Sequence, residues 1–470
     1  MKTLLDYLQE RHIFVNALCN GHGTCGKCKI KVEGIQPNDK DLKTLTKQEI
    51  EEGYVLACAH EYTQNLHIQE HCQSGEILTT FDTYIEGNTD HSGYGIIVDI
   101  GTTTLVFNLV ERVSGEIIET KSTYNPQIAY GGDVITRIQY DTKSPHVLTQ
   151  CIRKCLLAQI QSWLNFDIKQ MILTGNTTMI HIFNDINTKP IGEAPFDVPE
   201  MNLVKTNSKD LFGIDKEFDV ITLPHISAYV GSDIVTGMYA LDCFNQDDIS
   251  IFMDLGTNGE IVAGNQYGMH ASSSAAGPAF EGGGIECGGA SITGAIYKVE
   301  DVDGSLKLHT INNEEPTCIC GTGLISLIAY LRKKEIINEL GRFEDGSKKY
   351  YLTENIYVSN RDIQNFLLAK AAMQTALEVM VTKYPDVKHV YISGGFGNKL
   401  DLDDLVTLHI ISEEIKEKVI IKKNTALEGT YKLFMTQDFD ALHQMIKNIE
   451  SIDLSTYEDF EDMLVDSLFI

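Results

Sequence analysis

At 470 residues with 43% hydrophobic side chains, the chain is long enough for two or three domains with full cores. Its 66 acidic residues against 38 basic ones leave a net charge of −28, which argues against nucleic acid or an anionic membrane surface as a partner. No run of 18 apolar residues and no signal-peptide core occurs, so the expected location is the cytoplasm, where clustered cysteines read as a metal site before they read as disulfides.

Residues 3–13 have helical spacing, with Leu4, Leu5, Leu8 and Ile13 on one face. Cys19, Cys25 and Cys28 follow in a C-x5-C-x2-C pattern with Gly21, Gly23 and Gly26 among them, and Cys58 is a distant fourth thiol. Lys29–Glu33 alternates as a strand, and Asn65–Ile68 is a second short one. Four thiolates arranged as three near and one far suit a [2Fe–2S] cluster. The loop is one residue longer than the plant-type C-x4-C-x2-C pattern. A tetrahedral zinc site, which usually shows paired C-x-x-C knuckles, is the alternative. Gly21–Gly26 also matches G-x-G-x-x-G, and Gly21–Lys27 nearly matches a phosphate loop with Cys28 where Ser or Thr belongs. Neither follows a strand and opens a helix, so both are set aside.

Residues 73–92 read as a linker, with a flexible span on the order of 25 Å. Beyond it, Gly95-Ile-Ile-Val-Asp-Ile-Gly-Thr-Thr-Thr104 is an apolar strand ending in an acid, a glycine and hydroxyls. Ser250-Ile-Phe-Met-Asp-Leu-Gly-Thr-Asn-Gly259 repeats it, aligning Asp99 with Asp254, Gly101 with Gly256 and Thr102 with Thr257. Such a turn can hold phosphate on its amides and hydroxyls, and its Asp can hold hydrated Mg²⁺. A second pair of anchors repeats too, Thr174-Gly175 with Ser393-Gly394. The anchors lie farther apart in the second half, which predicts an insertion within 290–360. Strands are expected at 95–100, 103–110, 116–123, 260–264 and 268–274, and helices at 146–164, 322–333 and 361–384. Within 361–384, Leu367, Leu368, Ala371, Ala372, Ala376, Leu377 and Met380 form an apolar stripe expected in the core. Duplicated βββαβα units with glycine turns at strand ends are the pattern of a doubled RNase H-like fold. Cys287, Cys318 and Cys320 lack an obvious fourth partner and are read as buried structural thiols.

The cysteine loop resembles the N-terminal ferredoxin domain of the reductive activators of corrinoid proteins, and the resemblance continues over nearly the whole chain. Those proteins join a [2Fe–2S] module to an ATPase of the actin, sugar-kinase and heat-shock-chaperone superfamily. In those proteins a β-hairpin precedes the first helix, whereas this sequence begins almost at that helix, so the expectation is either a miscalled start codon or a β-grasp sheet short of two strands. The resemblance implies an α/β, duplicated RNase H-like body behind a small α+β ferredoxin-like domain: 1–72 for the cluster, 73–92 as linker, and halves at 93–248 and 249–470. It implies Cys19, Cys25, Cys28 and Cys58 as cluster ligands. Asp99 and Asp254 would be catalytic, with Glu260 a further candidate. ATP and Mg²⁺ would sit against Gly101, Thr102, Thr103, Thr104, Gly256, Thr257, Asn258 and Gly259, and the adenosine against Gly394, Gly395, Phe396 and Gly397. Residues 125–138 resemble a signature beside the nucleotide cleft, offering Asp133 as metal support and Arg137 as a carboxylate anchor or a helix-surface ion pair. Asp233 is implied as a further cleft acid. The acidic segment 457–466 reads as a solvated face. The implied task is ATP-driven transfer of one electron from the cluster to the Co(II) corrinoid of a methyltransferase system, with an upstream low-potential electron donor and neither nucleic acid nor membrane as partner. A small-molecule kinase with an accessory redox cluster, or a nucleotide-switched regulator, is the alternative.

Overall fold

The structure is a computed structural model, which describes residues 2–10, 28–63, 66–69, 81, 85, 92–256, 258–289, 291, 293–394 and 399–470. Cys19, Cys25, Thr257, Gly395, Phe396 and Gly397 lie outside the described residues.

The N-terminal unit packs α1 (Leu4–Glu10) on a three-stranded antiparallel sheet of order β2-β1-β3, with β1 Lys29–Glu33, β2 Tyr54–Leu56 and β3 His67–Gln69. Leu4, Leu5 and Leu8 share the predicted face and meet Ile30, Val32 and Val55 in one core. Two short helices, α2 (Asp39–Thr44) and α3 (Lys47–Glu51), fill the β1–β2 connection, each started by a capping box.

The body contains two six-stranded sheets that share a five-stranded topology, the sixth strand lying on opposite edges: Val204–Asn207 beside Asp219–Thr222 in the first, Ile449–Ser451 beside Gly268–Ser274 in the second. The first has the order β6-β5-β4-β7-β9-β8, from β4 (Tyr94–Ile100), β5 (Thr104–Glu111), β6 (Ile117–Tyr124), β7 (Ile168–Gly175), β8 (Val204–Asn207) and β9 (Asp219–Thr222). Helices α4 (Val134–Lys143), α5 (Val147–Ile160), α6 (Thr177–Asn184) and α7 (Ser208–Phe212) accompany it, and α8 (Ser232–Leu241) closes it. The second runs β19-β18-β10-β11-β12-β20, from β10 (Ser250–Leu255), β11 (Gly259–Asn265) and β12 (Gly268–Ser274). The expected insertion follows, with a three-stranded sheet of β13 (Ala295–Val302), β14 (Ser305–Thr310) and β15 (Cys318–Ile319). Helix α9 (Gly321–Lys333) and a hairpin of β16 (Lys349–Tyr351) and β17 (Tyr357–Ser359) complete it. Then come α10 (Asn360–Lys383), β18 (His389–Ser393), α11 (Leu402–Thr407), α12 (Glu413–Lys416), β19 (Val419–Ile421), α13 (Thr425–Thr436), α14 (Phe439–Lys447), β20 (Ile449–Ser451) and α15 (Phe460–Asp466).

The duplication holds at the level of register. In the first sheet β4 pairs antiparallel with β5 and parallel with β7, and in the second β10 pairs antiparallel with β11 and parallel with β18. Asp99 stands opposite Thr174, and Asp254 opposite Ser393. The two anchors of each half are therefore side-by-side strand ends.

Three cores divide the sheet faces. Ile96, Val98 and Ile100 join Ile152, Leu156 and Trp163 outside the first sheet. Ile251, Met253 and Leu255 join Leu324, Leu327 and Phe366 outside the second. Ile97 and Val106 of the first sheet and Phe252 and Val262 of the second share one inner core with Val235 and Met238 of α8 and Leu427 and Phe434 of α13. Helices α8 and α13 cross closely in this core, where a Cβ on Gly429 would lie 1.8 Å from the Thr236 carbonyl oxygen. Phe434 lies against the β4 backbone at Gly95, where a Cβ would lie 2.0 Å from its ring. Phe81 and Ile85, within the segment expected to be a linker, dock on α13: the Ile85 amide donates to the Tyr431 hydroxyl at 3.3 Å, and the Phe81 and Tyr431 rings lie 5.0 Å apart. The stripe on α10 is buried as expected except for Leu368, which is 60% exposed, and Ala372, which is half-buried. No described helix is long and apolar enough to cross a membrane.

Candidate functional site

Side chains alternate across a strand, so residues two apart share a face. Asp99 therefore follows Ile97 onto the inner face, and Asp254 follows Phe252 there. Both carboxylates sit at strand ends, half-buried. Glu260 shares the inner face with Val262, pairs with Asp254 across the ladder and is buried. Val106 holds the equivalent place opposite Asp99, so the two halves differ at this point.

The inner helices start where these strands end. Ser232, at the start of α8, accepts from the Gly175 amide at 3.0 Å and donates to the Gly175 carbonyl at 2.8 Å. Its neighbour Asp233 completes the acidic cluster. Thr425, at the start of α13, donates to Ser393 at 3.0 Å, the matching contact in the second half. Asn424 caps α13 through the Leu427 amide, and its Nδ2 donates to Asp99 at 3.4 Å. Both helix N-termini, which favour anions, thus open at the junction of the two sheets.

The first hydroxyl loop is braced from behind. The Gly101 amide donates to the Thr104 carbonyl at 2.9 Å, closing a tight turn. A Cβ on Gly101 would lie 2.7 Å from that oxygen, so the turn requires glycine. Asn125 Nδ2 donates to the Gly101 carbonyl at 2.8 Å, and Asn176 Nδ2 donates to Thr102 Oγ1 at 2.9 Å. Arg137 corrects both sequence expectations. It is neither a carboxylate anchor nor a surface ion pair: it is fully buried and donates to the carbonyls of Thr102 at 2.6 Å and Gly131 at 2.9 Å. Asp133 caps α4 through the Thr136 amide at 2.8 Å. Gly394 takes the same positive-φ backbone as Gly175 (139° and 158°), as their alignment implies. A Cβ on Gly259 would lie 1.9 Å from Met373 Sδ, so close packing against α10 explains that glycine.

Across the cleft, the Thr103 hydroxyl donates to Glu281 at 3.2 Å. Glu281 went unsingled in the sequence because it lies in a Gly-rich stretch, and its partner is 178 residues away. The acids act on one another. Burial raises the pKa of Asp99 to about 7, with the charge of Asp233 adding to it. Burial raises Asp254 to about 8, helped by Asp233, Asp99 and Glu281. Burial raises Asp233 to about 6, and burial with Asp233, Asp254 and Glu281 pushes Glu260 well above the usual carboxylate range. A divalent cation would relieve this mutual repulsion. Among the described residues no three acids, histidines or cysteines are spaced to close on one metal ion. Mg²⁺ does not need such a cage, because it keeps waters and uses one or two carboxylates with substrate phosphates.

In the N-terminal unit Cys28 is buried at the start of β1, and Cys58 follows β2. Their sulfurs lie 3.2 Å apart. The nearby Asp41 is buried, accepts from the Leu56 amide at 2.8 Å and sits 2.5 Å from His60 Nε2, which ties the Cys58 turn to α2. Elsewhere Cys320 is buried as expected, with Sγ 3.2 Å from the Ile296 carbonyl, while Cys287 and Cys318 are only half-buried.

Residues 94–246 match the family described as the RACo middle region, and residues 248–470 match the C-terminal domain of RACo, the ASKHA domain. Residues 1–62 match the 2Fe-2S iron-sulfur cluster binding domain. The chain is 31% identical over 349 residues to the corrinoid activation enzyme RamQ of Eubacterium limosum, a match that covers 66% of this chain and 58% of that protein, less than two thirds of its length. It is 24% identical over 418 residues to the [Co(II) methylated amine-specific corrinoid protein] reductase of Methanosarcina barkeri, covering 78% of this chain and 75% of that one. A solved structure titled reductive activator for corrinoid, iron-sulfur protein superposes with a TM-score of 0.73 at 25% identity, covering 100% of this chain and 95% of that one.

Proposed function

The chain belongs to the RACo family of reductive activators, with a 2Fe-2S-type domain ahead of an ASKHA domain, and from that premise we propose that it is an ATP-dependent iron–sulfur activator of a corrinoid protein. The observation that carries the reading is the pairing, in one chain, of converging thiols with two duplicated Asp-Gly-Thr loops that open on one acidic cleft.

In this reading Cys19, Cys25, Cys28 and Cys58 hold a [2Fe–2S] cluster, and the 3.2 Å approach of the Cys28 and Cys58 sulfurs fits two thiolates directed at one iron. When bound, the cluster supplies one-electron transfer, at about −400 mV in plant-type proteins, to bring Co(II) corrinoid to Co(I). Asp99 and Asp254 hold hydrated Mg²⁺ and orient water, with Glu260 beside them. Thr102–Thr104 and Gly256–Gly259 receive the phosphates, and Gly394–Gly397 receive the adenosine. Closure of the cleft moves α8 and α13, and α13 also carries the linker contact at Tyr431. The partner is the corrinoid protein of a methyltransferase system, and a low-potential donor refills the cluster.

Anaerobically prepared protein should hold about two irons per chain and give a rhombic EPR signal on reduction. With MgATP it should turn a partner's Co(II) spectrum into that of Co(I), and Asp254→Asn should abolish the change. Reduction at the same rate and extent without nucleotide, or by the Asp254→Asn protein, would sink the ATP-dependent reading.

A further inference from the structure

Glu281 stands between the two loops that the proposed function assigns to phosphate. One carboxylate oxygen accepts from Thr103 of the first loop at 3.2 Å. The other lies 3.3 Å from where a Cβ on Gly256 of the second loop would be. A carboxylate that accepts from a loop hydroxyl beside a loop glycine takes a donor that a phosphate oxygen would use. Its charge adds to the field that raises Asp254 and Glu260. A phosphate arriving here would compete for the same donor and meet a like charge.

The backbone of the turn that carries Glu281 is anchored. Phe280 is buried, edge-on to Phe366 with centroids 5.8 Å apart. The Gly282 and Gly283 amides close the turn on the Ala279 and Pro278 carbonyls at 2.9 and 2.8 Å.

We propose that Glu281 is a phosphate-mimicking gate: its carboxylate bonds Thr103 across the cleft and must swing away before nucleotide can occupy both loops. The proposal rests on the nucleotide-binding reading above. It makes Glu281 a residue that sets nucleotide affinity by competing with the nucleotide, the opposite of a metal or phosphate ligand. The open fraction then scales the apparent affinity, so removing the carboxylate removes the competition.

The test is binding of a methylanthraniloyl-labelled ATP with Mg²⁺ to the full chain and to its Glu281→Gln and Glu281→Ala variants, followed at equilibrium and by stopped flow. Both variants should bind about fivefold tighter or more, through faster association with dissociation little changed. Removing a merely structural residue would not improve binding. If wild type binds and Glu281→Ala binds equally or more weakly, the gate is refuted and the nucleotide reading stands. If neither wild type nor either variant binds, the nucleotide reading fails and takes the gate with it. Equal thermal midpoints for the isosteric Glu281→Gln and wild type ensure that the comparison is between folded proteins.

Discussion

Replacing Gly429 with alanine sets two physical effects against each other. In a helix interior the change should stabilise by about 0.5–1 kcal/mol, because glycine loses more backbone freedom on folding. At the α8–α13 crossing, however, the new Cβ would lie 1.8 Å from the Thr236 carbonyl oxygen and 2.5 Å from its carbon. Ordinary contact begins near 3.4 Å, so α13 must move away by ~1.6 Å. Overpacking of that kind costs about 1–3 kcal/mol, enough to reverse the propensity gain. The same movement draws Asn424 from Asp99, a bond already 3.4 Å long. The expected outcome is a lower urea midpoint at unchanged slope, and weaker nucleotide binding. Gly268→Ala is the control, since a Cβ there meets nothing within 4 Å, and it should change stability by less than about 0.5 kcal/mol. A Gly429→Ala protein more stable than wild type would refute the close crossing as the joint between the halves.

Two other outcomes follow from the same geometry. Cys28→Ser and Cys58→Ser should each lower bound iron, whereas Cys287→Ser and Cys320→Ser should leave it unchanged; iron retained in either of the first pair overturns the ligand assignment. His225 is buried beside His181, with ring centroids 5.4 Å apart, and burial, with His181 adding to it, holds its pKa down at about 3. The unfolded chain takes up that proton near pH 6.5, so the contribution of His225 to stability is present above 6.5 and is lost toward pH 3, by up to about 1.4 kcal/mol per pH unit. The raised cleft carboxylates act oppositely, favouring the folded state at low pH and losing that effect as pH rises. The difference between His225→Phe and wild type isolates the histidine: the variant should lose less stability between pH 7.5 and 5, and an equal loss would refute the reasoning.

Much of the architecture was legible because duplication writes itself twice. Matching Asp99 with Asp254 and Thr174 with Ser393 needed only aligned motifs, and the structure makes the two anchors within each half, Asp99 with Thr174 and Asp254 with Ser393, direct register partners. The insertion was legible from unequal spacing alone. The helix at α10 was legible from its periodicity, though Leu368 lies outside the core and Ala372 only partly in it. The misreading of Arg137 has a different origin. A charged residue in a helical pattern reads as solvated, and nothing local announces that the carbonyls of Gly131 and Thr102 will turn inward to receive it.

By itself, the sequence determined the chemistry available: four cysteines in a cluster-like spacing and two acid–glycine–hydroxyl turns on buried strands. Only the tertiary structure decided which way those groups face. Strands β4 and β10 are apolar on both sides, so their alternation carries no signal about which side is the cleft. That choice was made by α8 and α13, which pack against the inner faces and bring Asp99, Asp233, Asp254 and Glu260 within one electrostatic field. The contacts of Glu281 with Thr103 and of Asn424 with Asp99 join residues 178 and 325 positions apart. Distances of that kind are set by how the two halves pack, which no local pattern in the chain encodes.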